Sequence, residues 1–111
     1  MKILLTGGAG FIGSHVQDAY VNAGHEVIVV DNLSSGNKAN LNSKVKFYEA
    51  DITDKKALEE VFQKEKPDTV NHQAAIVSLN IATNNPQKLF DTNVTGAYNL
   101  LGLSGKYGVK K

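Results

Sequence analysis

Hydrophobic and polar positions along this chain fall into two kinds of block, short β-rich runs and longer stretches of helical period. Ile3-Leu4-Leu5 is a brief continuous apolar run, as expected of a strand buried on both faces. Glycines follow it, and then a helical stretch from Phe11 to about Ala23, with Ile12, Val16, Ala19, Tyr20 and Ala23 on one side and Gly24 at the C-cap. Val27-Ile28-Val29-Val30 is the clearest strand, and Asp31 closes it. Asn32 to Asn37 has turn chemistry, the loop stays polar to about Lys44, and Val45-Lys46-Phe47-Tyr48 reads as a third strand. Thr53 or Asp54 caps a helix carrying Leu58, Val61 and Phe62 on its apolar side, and Pro67 ends it. Thr69-Val70-Asn71-His72 is a fourth strand. A long helix from Pro86 or Leu89 to Tyr107 completes the pattern, with Leu89, Phe90, Val94, Ala97, Leu100 and Leu101 on its buried side. Gly102 and Gly105 each cost about 1 kcal/mol against Ala in a helix interior, so order after Leu101 is expected to weaken.

The order β-α-β-loop-β-α-β-α predicts an α/β fold, a parallel sheet with right-handed crossovers and helices on both faces. The 111 residues suffice for one compact domain, and 41% hydrophobic with 21% charged residues is an ordinary globular balance. A net charge of +1 argues against a nucleic-acid footprint, which needs clustered Lys and Arg. Cysteine is absent, so disulfides and thiolate metal sites are excluded. The apolar start is too short for a signal peptide or a membrane helix, and a cytoplasmic location is the default expectation.

Thr6-Gly7-Gly8-Ala9-Gly10-Phe11-Ile12-Gly13 fits two phosphate-binding spacings. Gly8, Gly10 and Gly13 satisfy G-x-G-x-x-G, while Gly7, Gly10 and Gly13 satisfy G-x-x-G-x-x-G. In either, the first glycine allows a tight turn, the second lets backbone approach a pyrophosphate, and the third lets the helix pack closely. The helix N-terminus then offers free N–H groups to an anion. Asp31 ends the next strand at about the spacing of 20 residues at which a carboxylate takes the adenosine ribose hydroxyls. It would also repel a 2′-phosphate, and no Arg follows it, so NAD is favoured over NADP. The alternative is a solvated strand-end Asp beside a structural turn.

With these segments in view the sequence resembles the extended short-chain dehydrogenase/reductase family, and within it the NAD-dependent epimerases and dehydratases. It is most similar to the N-terminal half of sugar-nucleotide epimerases of the UDP-glucose 4-epimerase type. The resemblance rests on the segment from Thr6 to His15, on Asp31 to Gly36, on Asp51-Ile52 with Asp54, on His72 to Ala75 and on Asn93-Val94-Thr95-Gly96. It implies a Rossmann-type sheet of strand order 3-2-1-4, with residues 1–111 forming an NAD-binding portion and no substrate domain. Backbone of Phe11 and Ile12, within the turn of Gly7, Gly10 and Gly13, would meet the pyrophosphate. Asp31, Asn32, Leu33, Ser34, Ser35 and Gly36 would wrap the ribose and the adenine edge, with Asp51 and Ile52 beside the adenine. Gln73, Ala74, Ala75 and Val77 would line the wall near the nicotinamide ribose, and Asn93 would face the same cleft.

In family members the catalytic Ser or Thr and the Tyr-x-x-x-Lys pair come after the fifth strand. The expectation is therefore that residues 1–111 carry no catalytic residue, hold NAD and are inactive alone, a UDP-sugar binding only in a longer form. Stand-alone dinucleotide binding and the corresponding half of a sugar-nucleotide dehydratase are the alternatives. Tyr107 and Lys111 show the catalytic spacing, but Gly108 marks a helix end, and the pair is read as a decoy. His72 is read as a hydrogen-bonded structural residue and not a metal ligand, for want of a second ligand at the right spacing. Glu59 and Glu60 are read as solvated. The edge of the fourth strand is expected to be bare, so that the chain either pairs through it in a homodimer or is a piece of a longer protein whose fifth strand covers it.

Overall fold

The computed structural model describes residues 1–111 and contains four parallel strands in the order β3-β2-β1-β4. In chain order these are β1 (Lys2–Thr6), α1 (Phe11–Asn22), β2 (Glu26–Asp31), β3 (Lys46–Glu49), α2 (Lys55–Glu65) and β4 (Thr69–His72). They are followed by α3 (Leu79–Asn84), α4 (Pro86–Phe90), a π-helical turn (Asp91–Thr95) and α5 (Gly96–Lys106). The Rossmann-type order read from the sequence is the order found, and no helix is long and apolar enough to cross a membrane.

Strand alternation divides the core between the two faces of the sheet. Leu4, Ile28 and Val30 point to one face, where Leu58, Val61 and Phe62 of α2 and Leu100 and Leu103 of α5 cover them. Leu5, Val27 and Val29 point to the other, against Val16, Tyr20 and Val21 of α1 and Leu41, Val45 and Phe47 beyond β2. Register locks the two sets together, since Leu4 pairs with Ile28 and Leu5 with Val29. Asp54 caps α2 through Ala57 N–H at 3.2 Å, and Lys66 leaves it in a left-handed conformation (φ 48°) just before Pro67.

Several expectations are corrected. On α1, Ile12, Ala19 and Ala23 are exposed, and the buried positions are Gly13 and Gln17, because the helix rests on the glycine turn at its start. On the last helix Phe90, Val94 and Leu101 are exposed, while Gly96, Asn99, Leu100 and Leu103 are buried. The π turn inserts one residue, and the helix phase rotates by about a quarter turn across it. α5 also runs through Gly102 and Gly105 to Lys106, anchored by buried Leu103 and by the Tyr107 ring beside Phe62. α3, capped by Ser78, falls in the stretch between β4 and the last helix, for which the sequence pattern predicts no element.

Glu59 is not simply solvated, since its Oε1 accepts hydrogen bonds from Lys106 Nζ and, at 2.7 Å, from Tyr107 Oη. Of the pair at the catalytic spacing, the Tyr107 hydroxyl turns to Glu59 on α2, and the Lys111 C=O lies beside β4. The edge of β4 is partly covered, because Lys110 N–H donates to Asp68 C=O at 2.8 Å and Val70 N–H donates to Lys111 C=O at 2.9 Å. Only its Asn71–His72 end lacks a neighbour of this kind.

Candidate functional site

All four strands point their C-terminal ends the same way, and the first two connections leave from those ends around one crevice. Gly7 (φ 73°) turns the chain out of β1, and a Cβ there would lie 2.9 Å from Ala74 N. Its own N–H donates to Val30 C=O at 2.9 Å, and its C=O accepts from Gly10 N–H at 3.1 Å. A Cβ on Gly13 would lie 2.1 Å from that same Gly7 oxygen, so the third glycine lets α1 sit on the turn itself. Gly8 has a different duty, its Cα facing the Val29 side chain. The spacing that matches the structure is therefore Gly7, Gly10 and Gly13. Gly10 is the N-cap of α1 and supplies no side-chain acceptor, and the first helical turn contains no acidic residue. The first N–H groups of α1 are left for an external anion, and Phe11 and Ile12 sit there in the open.

Asp31 is buried at the end of β2, one hydrogen bond from this turn. Its Oδ2 accepts from Ala9 N–H at 3.0 Å and its Oδ1 from Leu33 N–H at 2.8 Å. Leu33 takes a left-handed conformation (φ 61°), bending the segment back so that Gly36 packs against Ala9. Asn32 links this segment to the next wall, donating from Nδ2 to Asp51 Oδ2 at 3.1 Å. Burial works to raise the Asp51 carboxyl, but hydrogen bonds from Thr53 and Asn32 and the charge of Lys88 outweigh it and hold the group below the usual carboxylate range.

Across the crevice Thr6 Oγ1 accepts from Gln73 N–H and Ala74 N–H, both at 3.1 Å, and lies 2.7 Å from His72 Nδ1. With both lone pairs of the hydroxyl engaged, its proton goes to Nδ1, and His72 is held as the neutral ring with hydrogen on Nε2. Burial accordingly pushes the His72 pKa below its ordinary value, and Lys110 and Lys111 line the groove on its open side. Because the folded pKa lies below the unfolded one, the associated stability is fully present above about pH 6.5 and is lost as pH falls through the folded pKa. The melting temperature is expected to drop between pH 7 and pH 5, and His72→Gln should flatten that slope in a thermal-denaturation series. An unchanged slope in the variant would assign the effect to other groups.

One cleft gathers Asp31, Asn32, Ser34, Ser35, Asp51, Ile52, Ala74 and Ala75 from the sequence reading. It adds Lys88 and Thr92, which that reading missed although they stand four apart on one helical face. Two expected residues reach the cleft only indirectly. Gln73 turns its side chain to Asn71 (2.8 Å). Asn93 spends both ends of its amide on Ile76, accepting from N–H and donating to C=O at 2.8 Å each, and so fixes the wall without facing the opening. The Ile52 side chain lies under Gly96, in the core. Val77 is almost fully exposed.

The surroundings of this cleft are shared with known proteins. The chain is 44% identical over 109 residues to a putative UDP-glucose 4-epimerase of Methanocaldococcus jannaschii, covering 98% of this chain and 35% of that protein. It is 39% identical to the UDP-glucose 4-epimerase of Bacillus subtilis, covering 100% of this chain and 35% of that one. Among solved structures, UDP-glucose 4-epimerase of Thermotoga maritima with UDP-glucose superimposes with a TM-score of 0.96 at 50% identity, over 99% of this chain and 36% of that one. The Thermus thermophilus UDP-glucose 4-epimerase in complex with NAD gives 0.95 at 41% identity, over 99% and 35%. The chain thus spans about a third of the length of the relatives it matches. The match to the NAD dependent epimerase/dehydratase family runs from residue 3 to residue 111, and with the glycine turn and Asp31 placed as described, the chain belongs to that family.

Proposed function

We propose that residues 1–111 bind NAD as the cofactor-holding N-terminal portion of a sugar-nucleotide epimerase working in the cytoplasm. One observation carries the reading: the uncapped start of α1 and the Asp31 carboxylate are joined through a single hydrogen bond from Ala9 N–H. The helix end suits a pyrophosphate, and the carboxylate retains acceptor capacity for a ribose diol. Backbone N–H groups of Phe11 and Ile12 take the phosphates, and the segment from Asp31 to Gly36 wraps the adenosine. Asp51 and the backbone of Ile52 flank the adenine. Gln73, Ala74, Ala75 and Val77 form the wall toward the nicotinamide, held in place by Asn93. Lys88 is the cation of the cleft lining and offsets the charge of Asp31 and Asp51 as an anionic ligand enters. Bound NAD supplies a hydride acceptor and donor, and the epimerisation of a UDP-sugar is proposed for the longer protein, by analogy with the relatives. A second copy pairing along β4 has only the Asn71–His72 end of that strand to use.

Calorimetric titration tests the cofactor. NAD is expected to bind, with NADP at least tenfold weaker, a difference of about 1.4 kcal/mol that repulsion between Asp31 and a 2′-phosphate readily supplies. Equal binding of the two, or binding of neither at millimolar concentration, would overturn the proposal.

A further inference from the structure

Gln17 is the one fully buried polar side chain of α1, and it faces the back of the glycine turn, away from the cleft. Its Nε2 donates to Gly8 C=O and to Asn40 C=O, each at 2.9 Å, and its Oε1 accepts from Asn42 N–H at 3.1 Å. A leucine of similar volume would fill the space without needing any of these partners. The bonds matter for where they fall. Gly8 C=O and Ala9 N–H belong to one peptide group; Gln17 holds its oxygen and Asp31 holds its N–H. The next peptide is held likewise: Ala9 C=O accepts from Asn37 N–H at 3.0 Å and Asn40 Nδ2 at 2.9 Å, and Gly10 N–H donates to Gly7 C=O. Both peptide planes at the apex of the turn are therefore fixed at each end, and their orientation sets where the start of α1 points.

We propose that Gln17 is a positioning residue for dinucleotide binding, clamping the phosphate turn and the 37–42 segment behind the ribose loop into one preformed unit. This rests on reading the cleft as a dinucleotide site, and it adds a residue that lies outside the cleft lining. A preformed site binds without the loss in apparent affinity that comes from a fractionally populated competent state. In Gln17→Leu the two segments separate part of the time, and binding weakens by the fraction of molecules out of register.

The test uses the 111-residue chain with two variants, Gln17→Leu and Asn40→Ala. Asn40 is exposed, and its replacement removes the bond to Ala9 C=O without opening the core. Hydrogen exchange without ligand should show lost protection at Gly10, Asn37 and Asn42 amides in Gln17→Leu, with β1 and β2 amides still protected. Saturating NAD should restore the lost protection. Calorimetry well below the melting temperature should show NAD binding weakened about tenfold in Gln17→Leu, as expected if about a tenth of the molecules remain competent, and less in Asn40→Ala. A role confined to global stability would lower the melting temperature and leave the low-temperature Kd unchanged. Unchanged exchange in the 37–42 segment, or wild-type NAD affinity in Gln17→Leu, overturns the clamp. Failure of the wild-type chain to bind NAD overturns the cofactor reading, and the ligand-free exchange result still decides the clamp.

Discussion

Gly13→Ala is expected to abolish measurable NAD binding and to destabilise the fold, although it exchanges a poor helix former for the best one. A Cβ at this position would sit 2.1 Å from Gly7 C=O and 2.8 Å from Gly8 Cα, both backbone atoms of the turn. Side-chain rearrangement cannot relieve that contact, so helix and turn must part by about 1 Å to reach an ordinary separation. Overpacking of this kind costs about 1–3 kcal/mol, a large share of the stability of a domain this size. Binding suffers more, because the same displacement carries the N-terminal N–H groups of α1 away from the turn. Two hydrogen bonds to a charged phosphate, each worth about 1.5–3 kcal/mol, correspond to a loss of about 100-fold or more in affinity. Gly102→Ala is the control on the same footing. No atom lies within 4 Å of its built Cβ, and relief of the glycine penalty should stabilise the chain by up to about 1 kcal/mol. Thermal melts with NAD titrations on the pair check both claims, and a Gly13→Ala protein that binds NAD normally would separate the turn from the cofactor.

The contrast between those two glycines shows what was legible in the sequence. The glycine pattern, the strand that precedes it and Asp31 after the next strand are local signals, and each came from residues near one another in the chain. The strands and α2 were legible for the same reason: β1 and β2 are buried on both faces and show as unbroken apolar runs, while α2 packs one continuous face against a single layer. The roles within the cluster were not. Two overlapping spacings fit equally well on paper, and the choice of Gly7 over Gly8 depends on Val29 and Ala74, which only the fold brings near. Gln17 was invisible for a similar reason: a polar residue on a helix reads as solvated unless its partners, here Gly8 and residues 40 and 42, are known to converge behind it. The face of the last helix was misread because periodicity assumes a constant phase, and the π turn at Asp91–Thr95 breaks that phase. α3 is six residues long and leaves Leu79 exposed, so no apolar stripe announced it. The cover on β4 was missed because it comes from backbone groups of Lys110 and Lys111, which carry no side-chain signature of pairing.

Asp31→Asn should convert a site selective for NAD into one that barely distinguishes NAD from NADP. The carboxylate has two tasks that this substitution separates. Toward the protein it accepts from Ala9 N–H and Leu33 N–H. An amide can keep one of these bonds, but it sets its own N–H₂ against the other donor, leaving a buried N–H without a partner at about 1–3 kcal/mol. Toward the ligand the carboxylate offers charged acceptors to the ribose hydroxyls and a negative charge that repels a 2′-phosphate. Losing the acceptors weakens NAD by about 10- to 100-fold, the equivalent of one charged hydrogen bond at about 1.5–3 kcal/mol. NADP loses those contacts too, but it escapes the repulsion, so its affinity should change little and the ratio between cofactors should approach unity. Asp31→Ala sharpens the comparison: it removes the acceptors for both Ala9 and Leu33, and is expected to melt at lower temperature than Asp31→Asn while showing the same loss of discrimination. If melting temperature falls in both variants but the NAD to NADP ratio stays at the wild-type value, Asp31 only staples the turn to β2. If the ratio collapses at a temperature where both variants remain folded, the carboxylate selects the cofactor as well as holding the loop that surrounds it.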